Sequence, residues 1–242
     1  GRGGEDGKND PTRPEEELLD DLVEAIGFVR SFLNAGNAPL DNIITKTGFE
    51  RNAAIVAAKE VANRNDQTRK RFEVMCREVF KKFKACITID GVNDHRQEYD
   101  AINIIYKSLQ DDRQQADISY IIRKLHEVVD GAIDIHPDPE QEPGKIYDIS
   151  KIDFFRLNQE FAKSKSKHTA VQMLRDVIDK KVERLLSQNP LRTDFQRHYE
   201  EIIDEYNNEK DRVTIEETWN RLLKFIQDLD DESHRAIREE LD

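Results

Sequence analysis

Residues 167–229 constrain the fold most, because two helix-start signatures and one proline divide them into three amphipathic segments. Pro190 has no backbone donor and its ring clashes with the preceding turn, so the helix before it ends near Gln188. Thr193 followed by Gln196 reads as a capping box, in which each side chain satisfies a backbone donor left open at a new helix start. Beyond it, Phe195, Tyr199, Ile202 and Tyr206 recur at helical spacing and define one apolar face. Asn207-Asn208 closes that segment. Thr214 with Glu217 reads as a second capping box, followed by Ile215, Trp219, Leu222, Ile226 and Leu229 on the next face. Upstream, Val171, Leu174, Ile178 and Leu185 form the stripe that would meet both. Three such segments with short connections predict a bundle.

The same period runs through the rest of the chain. Residues 1–14 carry Gly, Pro and charge with no apolar face and read as a flexible linker. Residues 15–135 read as an N-terminal helical layer. Its first helix carries Leu18, Leu22, Ile26, Val29 and Leu33, and breaks around Gly36. A short piece with Ile43-Ile44 ends at Gly48, and an Ala-rich helix over 49–62 turns Ile55, Ala58 and Val61 or Ala62 inward. A turn at 63–66 precedes a long helix whose stripe is Phe72, Met75-Cys76, Val79-Phe80 and Phe83. Residues 85–90, ending at Gly91, read as a short extended piece, and two further amphipathic helices follow. Residues 136–149 hold Pro137, Pro139, Pro143 and Gly144 and are expected as a proline-rich surface loop dividing the chain. Residues 150–242 complete a C-terminal helical bundle. The fold class expected is all-α, a multi-helix bundle in two helical layers with little or no β structure.

Charge content fits this reading, since long helices need solvated outer faces. Charged residues make up 36% of the chain and the net charge is -12, a balance that argues against a general nucleic-acid binder. It leaves room for a local basic face on an acidic body. The candidates for DNA or partner contact are Arg69, Lys70, Arg77, Lys81, Lys82 and Lys84 on the outer face of one helix, and Lys163, Lys165 and Lys167 at a polar hinge. Cys76 and Cys86 form no CxxC pair, which points to a reducing compartment and a cytoplasmic protein. No apolar run approaches the ~18 residues of a bilayer span. The Gly-rich start without an initiator Met reads as a segment of a larger protein.

Motifs for chemistry are missing. GxxxxGK[ST] and GxGxxG do not occur, so no phosphate-binding loop supports an ATPase. Nuclease chemistry needs converging carboxylates and a lysine on a metal-bound water. Asp138 with Glu142 and Lys145 mimics that set, but the acidic residue and the lysine stand one position too far apart, in a proline loop. The six histidines include no HExxH pair. Cys76, Tyr199 and Trp219 lie on apolar stripes and are read as core. No catalytic, cofactor-binding or metal-binding residue is assigned.

A group of residues carries a family resemblance. Lys167-His168, Ala170-Val171 with Leu174, Phe195 and Tyr206-Asn207 fit one pattern, and Asn65-Asp66-Gln67-Thr68 running into Phe72 and Phe80-Lys81-Lys82-Phe83-Lys84 fits it upstream. From about Leu18 onward the chain resembles the C-terminal helical region of type I restriction enzyme R subunits. That resemblance implies a non-catalytic assembly region that holds the motor onto the methyltransferase core. Methyltransferase and specificity subunits would be its partners, and DNA would be contacted weakly or through the complex. ATP and Mg would belong to the parent enzyme, with no cofactor in this segment. The alternative reading is a helical nucleic-acid-binding module that meets duplex DNA through its basic faces.

Overall fold

A computed structural model describes residues 14–130, 151–190, 192–208 and 214–239. Nearly all of these residues lie in ten α-helices, and no strand occurs among them. Helix α1 (Glu15–Ala35) starts with Glu15, Glu16 and Glu17, whose charges suit the positive end of a helix. It buries Leu22, Ala25, Ile26, Val29 and Leu33, and stops at Gly36. A Cβ at Gly36 would come within 2.4 Å of the Val61 side chain, so glycine lets this turn lie against α3 (Gly48–Ala62). The short α2 (Asp41–Thr45) lies between them.

Helix α4 (Asp66–Ala85) runs antiparallel to α1. The Phe32 and Phe72 rings lie 5.3 Å apart at one end, and the Cys86 thiol donates to the Leu18 carbonyl at the other. Residues 85–90 are not extended. Ala85 ends α4 and 86–90 turn, with the Ile89 N–H bonded to the Cys86 carbonyl, and Gly91 at φ 93° leads into a 3₁₀ turn (Val92–His95). Gly91 adopts this left-handed backbone without the Cβ clash another residue would meet. Helix α5 (Arg96–Gln115) closes the first body.

The second body holds α6 (Ile118–Asp130), α7 (Lys151–Lys163), α8 (Lys167–Gln188), α9 (Thr193–Asn208) and α10 (Ile215–Glu239). The apolar side chains fall into two cores. One joins α1 to α5; the other runs from Ala116 through α6 to Leu229 of α10. The cores therefore divide between α5 and α6. Helix α6 packs Ile118, Tyr120, Ile121 and Leu125 with the second body, although its sequence lies within the span expected for the first. Residues 1–13 of the expected linker (1–14) and the whole of the proline-rich loop (136–149) lie outside the described residues.

Thr214 and Glu217 form the expected capping box: each backbone N–H donates to the other's side chain, at 2.7 and 3.2 Å. The Thr193 box differs. Thr193 is already the first helical residue, and the Gln196 amide donates forward to Glu200 at 2.8 Å. Among the described residues no helix is long and apolar enough to cross a membrane.

Candidate interaction site

Asn65, Asp66, Thr68, His168, Tyr206 and Asn207, a part of the family pattern, converge on the seam between the two bodies. Asn65 caps α4 in a reciprocal pair with Thr68, each backbone N–H lying 2.9 Å from the other's side-chain oxygen. That cap fixes the first turn and holds Asp66, which is buried, against α8 and α9. Asp66 accepts from the side-chain amides of Gln172 at 3.1 Å and Asn207 at 3.0 Å, and pairs with Arg175. Asn207 returns the contact by accepting from the Asp66 backbone N–H at 3.1 Å. One carboxylate thus ties three helices together.

A second carboxylate does the same for the start of α8, which has no cap of its own from Ser166. Glu60 of α3 accepts from the backbone N–H groups of His168 at 2.7 Å and Thr169 at 2.9 Å, and from the Thr169 hydroxyl. A carboxylate here meets both the open donors and the positive end of the helix. Asn63 donates to the same hydroxyl, and Tyr206 donates to the Arg64 carbonyl at 2.6 Å while lying 3.2 Å from the His168 ring. Burial pushes the Tyr206 phenol up, so it stays a donor at any working pH. The seam continues where Lys59 pairs with Asp112, whose other oxygen accepts from Tyr120 of α6 at 2.9 Å.

Arg69 corrects the sequence reading. It was expected on the outer face of its helix, yet it is 5% exposed. Its guanidinium lies between Gln172 and Asp176 of α8 at 3.4 Å, Glu73 at 3.5 Å and the Leu109 carbonyl. Glu73 also accepts from Arg113 at 2.9 Å and from Gln110. Arg69 is a joint of the seam and no surface contact.

Burial raises the Asp176 carboxyl above 3.8, and the Arg69 charge opposes that rise without cancelling it. Its native proton affinity therefore exceeds the unfolded one. The stability this contributes is present below the unfolded value and is lost as pH rises through the folded one. Asp176→Asn should remove that loss, so that the urea midpoint of the parent falls relative to the variant's as pH rises from acid toward neutral, and should cost at most ~1 kcal/mol at pH 7. A loss near 3 kcal/mol at pH 7 in denaturant melts would show that the charged pair with Arg69 is a net stabiliser.

The remaining cations divide into two groups. Lys70, Arg77, Lys81 and Lys84 are exposed on α4, whereas Lys82 is half-buried on another side. At the hinge, Lys163 pairs with Glu160, and Lys167 pairs with Glu216 while lying 5.5 Å from the Phe161 ring centre. Lys165 is exposed. Lys163 and Lys167 therefore have carboxylate partners of their own, unlike Lys70, Lys81 and Lys84 among the described residues.

Two concave places accompany these features. A cleft of about 300 Å³ opens on the seam, where Lys70, Arg113 and Lys180 alternate with Asp176, Asp179 and Glu183. With Arg69, Arg175 and Asp66 the lining holds five cationic and four acidic side chains, so it offers no strong field of one sign. A groove of about 320 Å³ lies between α7 and α10, lined by Phe154, Phe155, Asn158, Leu223 and Lys224 among others. Phe155 at its rim is 64% exposed. Among the described residues, no group of three or more His, Cys, Asp or Glu side chains is disposed to hold a metal ion.

No curated protein and no solved structure matches the chain. A family model does, over residues 5–242, and its description is type I restriction enzyme HindI endonuclease subunit-like, C-terminal. The match takes in both helical bodies, the seam between them and every candidate contact named above. The chain thus belongs to the family of C-terminal regions of type I restriction enzyme HindI endonuclease subunit-like proteins.

Proposed function

We propose that this chain is the non-catalytic assembly region of a restriction-enzyme motor subunit, docking it onto the methyltransferase core of the same complex. The parent's ATP- and Mg-dependent translocation and cleavage reside in this reading upstream of residue 1, the specificity subunit joins the assembly through the core, and the complex works in the cytoplasm. Family membership supports the reading, and one feature of the surface carries it: the groove between α7 and α10 with Phe155 at its rim. An aromatic ring left 64% exposed beside Phe154 and Leu223 has the composition of an interface anchor, in which a buried aromatic fills a partner's pocket within a polar rim. Asn158, Asn220, Lys224 and Gln227 supply such a rim. The bodies behind the groove are braced by the seam, so a partner that seats on α7 and α10 also holds α3, α4 and α8 in place.

Phe155→Ala should weaken capture of the methyltransferase core by about 30-fold, as expected for loss of a hot-spot residue worth ~2 kcal/mol. The thermal midpoint should stay unchanged, because the ring is mostly in water. Equal capture by the parent and the variant in a titrated pull-down would move the docking surface away from this groove. Absence of any association by the parent chain would remove the docking reading itself.

A further inference from the structure

We infer that α4 presents a phosphate-tracking face, on which Lys70, Arg77, Lys81 and Lys84 contact the backbone of duplex DNA without reading its sequence. At 100° per residue these positions, with Val74 among them, fall in one narrow arc opposite the buried Phe72, Cys76, Val79 and Phe83. They span a row about 21 Å long at 1.5 Å per residue. Lys70, Lys81 and Lys84 are exposed and form no ion pair with the described residues, Lys70 standing where the row meets the acidic side chains of the seam cleft, and Arg77 has only the distant Glu73, 3.9 Å away.

Composition selects the partner. Protein interfaces are depleted in lysine and centre on aromatic, Met and Arg side chains, whereas lysine and arginine supply most phosphate contacts. Three of the four positions are lysine, and the row's single apolar residue is Val74, half-exposed. A 21 Å length of duplex carries on the order of a dozen phosphates, ample partners for four cations. The chain as a whole carries a net charge of -12, so its long-range field opposes DNA and keeps the affinity of such a local row low. The inference stands apart from the docking reading, because α4 carries the row and α7 and α10 carry the groove.

The test is fluorescence anisotropy of the full chain with a labelled 25-base-pair duplex at several salt concentrations. Four contacts predict a slope of log K against log salt near -3.6, and a Kd on the order of 10⁻⁴ to 10⁻⁶ M. Lys70→Glu/Lys81→Glu/Lys84→Glu should weaken binding more than 10-fold and bring the slope to about -1, while Lys163→Glu/Lys165→Glu changes neither. Circular dichroism checks folding. If charge reversal unfolds the chain, the Gln triple variant gives the same reading with a smaller effect. An unchanged slope in the triple variant, or no binding by the parent chain at low salt, overturns the inference. Loss of methyltransferase capture in the triple variant with DNA binding intact would also overturn it, in favour of an acidic protein partner. Docking through Phe155 is read in the pull-down and fails or survives independently.

Discussion

Arg69→Ala is expected to destabilise the chain by about 3 to 5 kcal/mol and to separate the melting of its two bodies. Arg69 is buried at the meeting of α4, α5 and α8, with Glu73 and Asp176 as ion-pair partners and Gln172 and the Leu109 carbonyl as acceptors. Removing it leaves two carboxylates that were taken out of water for its sake. Glu73 keeps Arg113, and Asp176 can take up a proton, so the loss sits toward the lower end of that range. Arg69→Met isolates the charge, because it retains the aliphatic stem and its packing. It should cost nearly as much as the Ala change. Arg69→Lys should also lose stability, since one ammonium cannot serve partners placed around a planar fork. The cooperativity signature is independent of the magnitude. Trp219, the chain's single tryptophan, belongs to the second core, so its fluorescence follows that body while far-UV circular dichroism follows both. Coincident transitions in the parent and separated ones in Arg69→Ala are the expected result. A loss under ~1 kcal/mol with coincident transitions would show that the two bodies cohere without this joint.

The sequence disclosed what depends on near neighbours. Helical periods place Leu22, Ile26, Val29 and Leu33, or Trp219, Leu222, Ile226 and Leu229, on faces that are buried in the structure. The Thr214–Glu217 cap is equally local, spanning a single turn. Arg69 shows how a local signal is misread. It stands three residues before Phe72 and seven before Cys76, on the very stripe that turns inward, but its charge suggested solvent. Glu60 had no local signal at all. Its partners at the start of α8 lie 108 and 109 residues away, and nothing in its own helix marks it as a cap for another. Helix α6 shows a third limit: a period reveals that a face is apolar, and not which of two cores it joins. Thr193 is no cap because it is itself the first residue of α9. Arg192 pairs with Asp194 and Glu232 and lies over the Phe195 ring, fixing the chain's entry without a reciprocal side-chain box. As for the candidate contacts, sequence proximity grouped the cations, but rotation about α4 and the carboxylates around the hinge decide which of them share a face.

Trp219→Ala should cost about 3 to 5 kcal/mol, the range for deleting a large aromatic from a packed core. The indole is 1% exposed and stacks on Phe161 of α7, with ring centres 4.0 Å apart and planes 3° from parallel. Its N–H donates to the Asn158 side chain at 2.8 Å, so the polar edge of the ring is satisfied as the apolar face is buried. The stack and the hydrogen bond both join α10 to α7. The Ala variant thus loses apolar burial, a ring contact and the partner of Asn158 at one site. Trp219→Phe separates these terms. It keeps a ring against Phe161 and gives up the donor and some volume, so it should lose less than half as much. The loss should appear mainly as faster unfolding if α10 docks after the transition state. It also bears on docking, because α7 and α10 are the walls of the groove that holds Phe155. Capture of the methyltransferase core by Trp219→Ala, measured where the variant is still folded, should therefore fall along with stability. For Phe155→Ala, by contrast, only capture should fall. A Trp219→Ala change within ~0.5 kcal/mol in denaturant melts would place the indole outside the core and leave α10 free of α7.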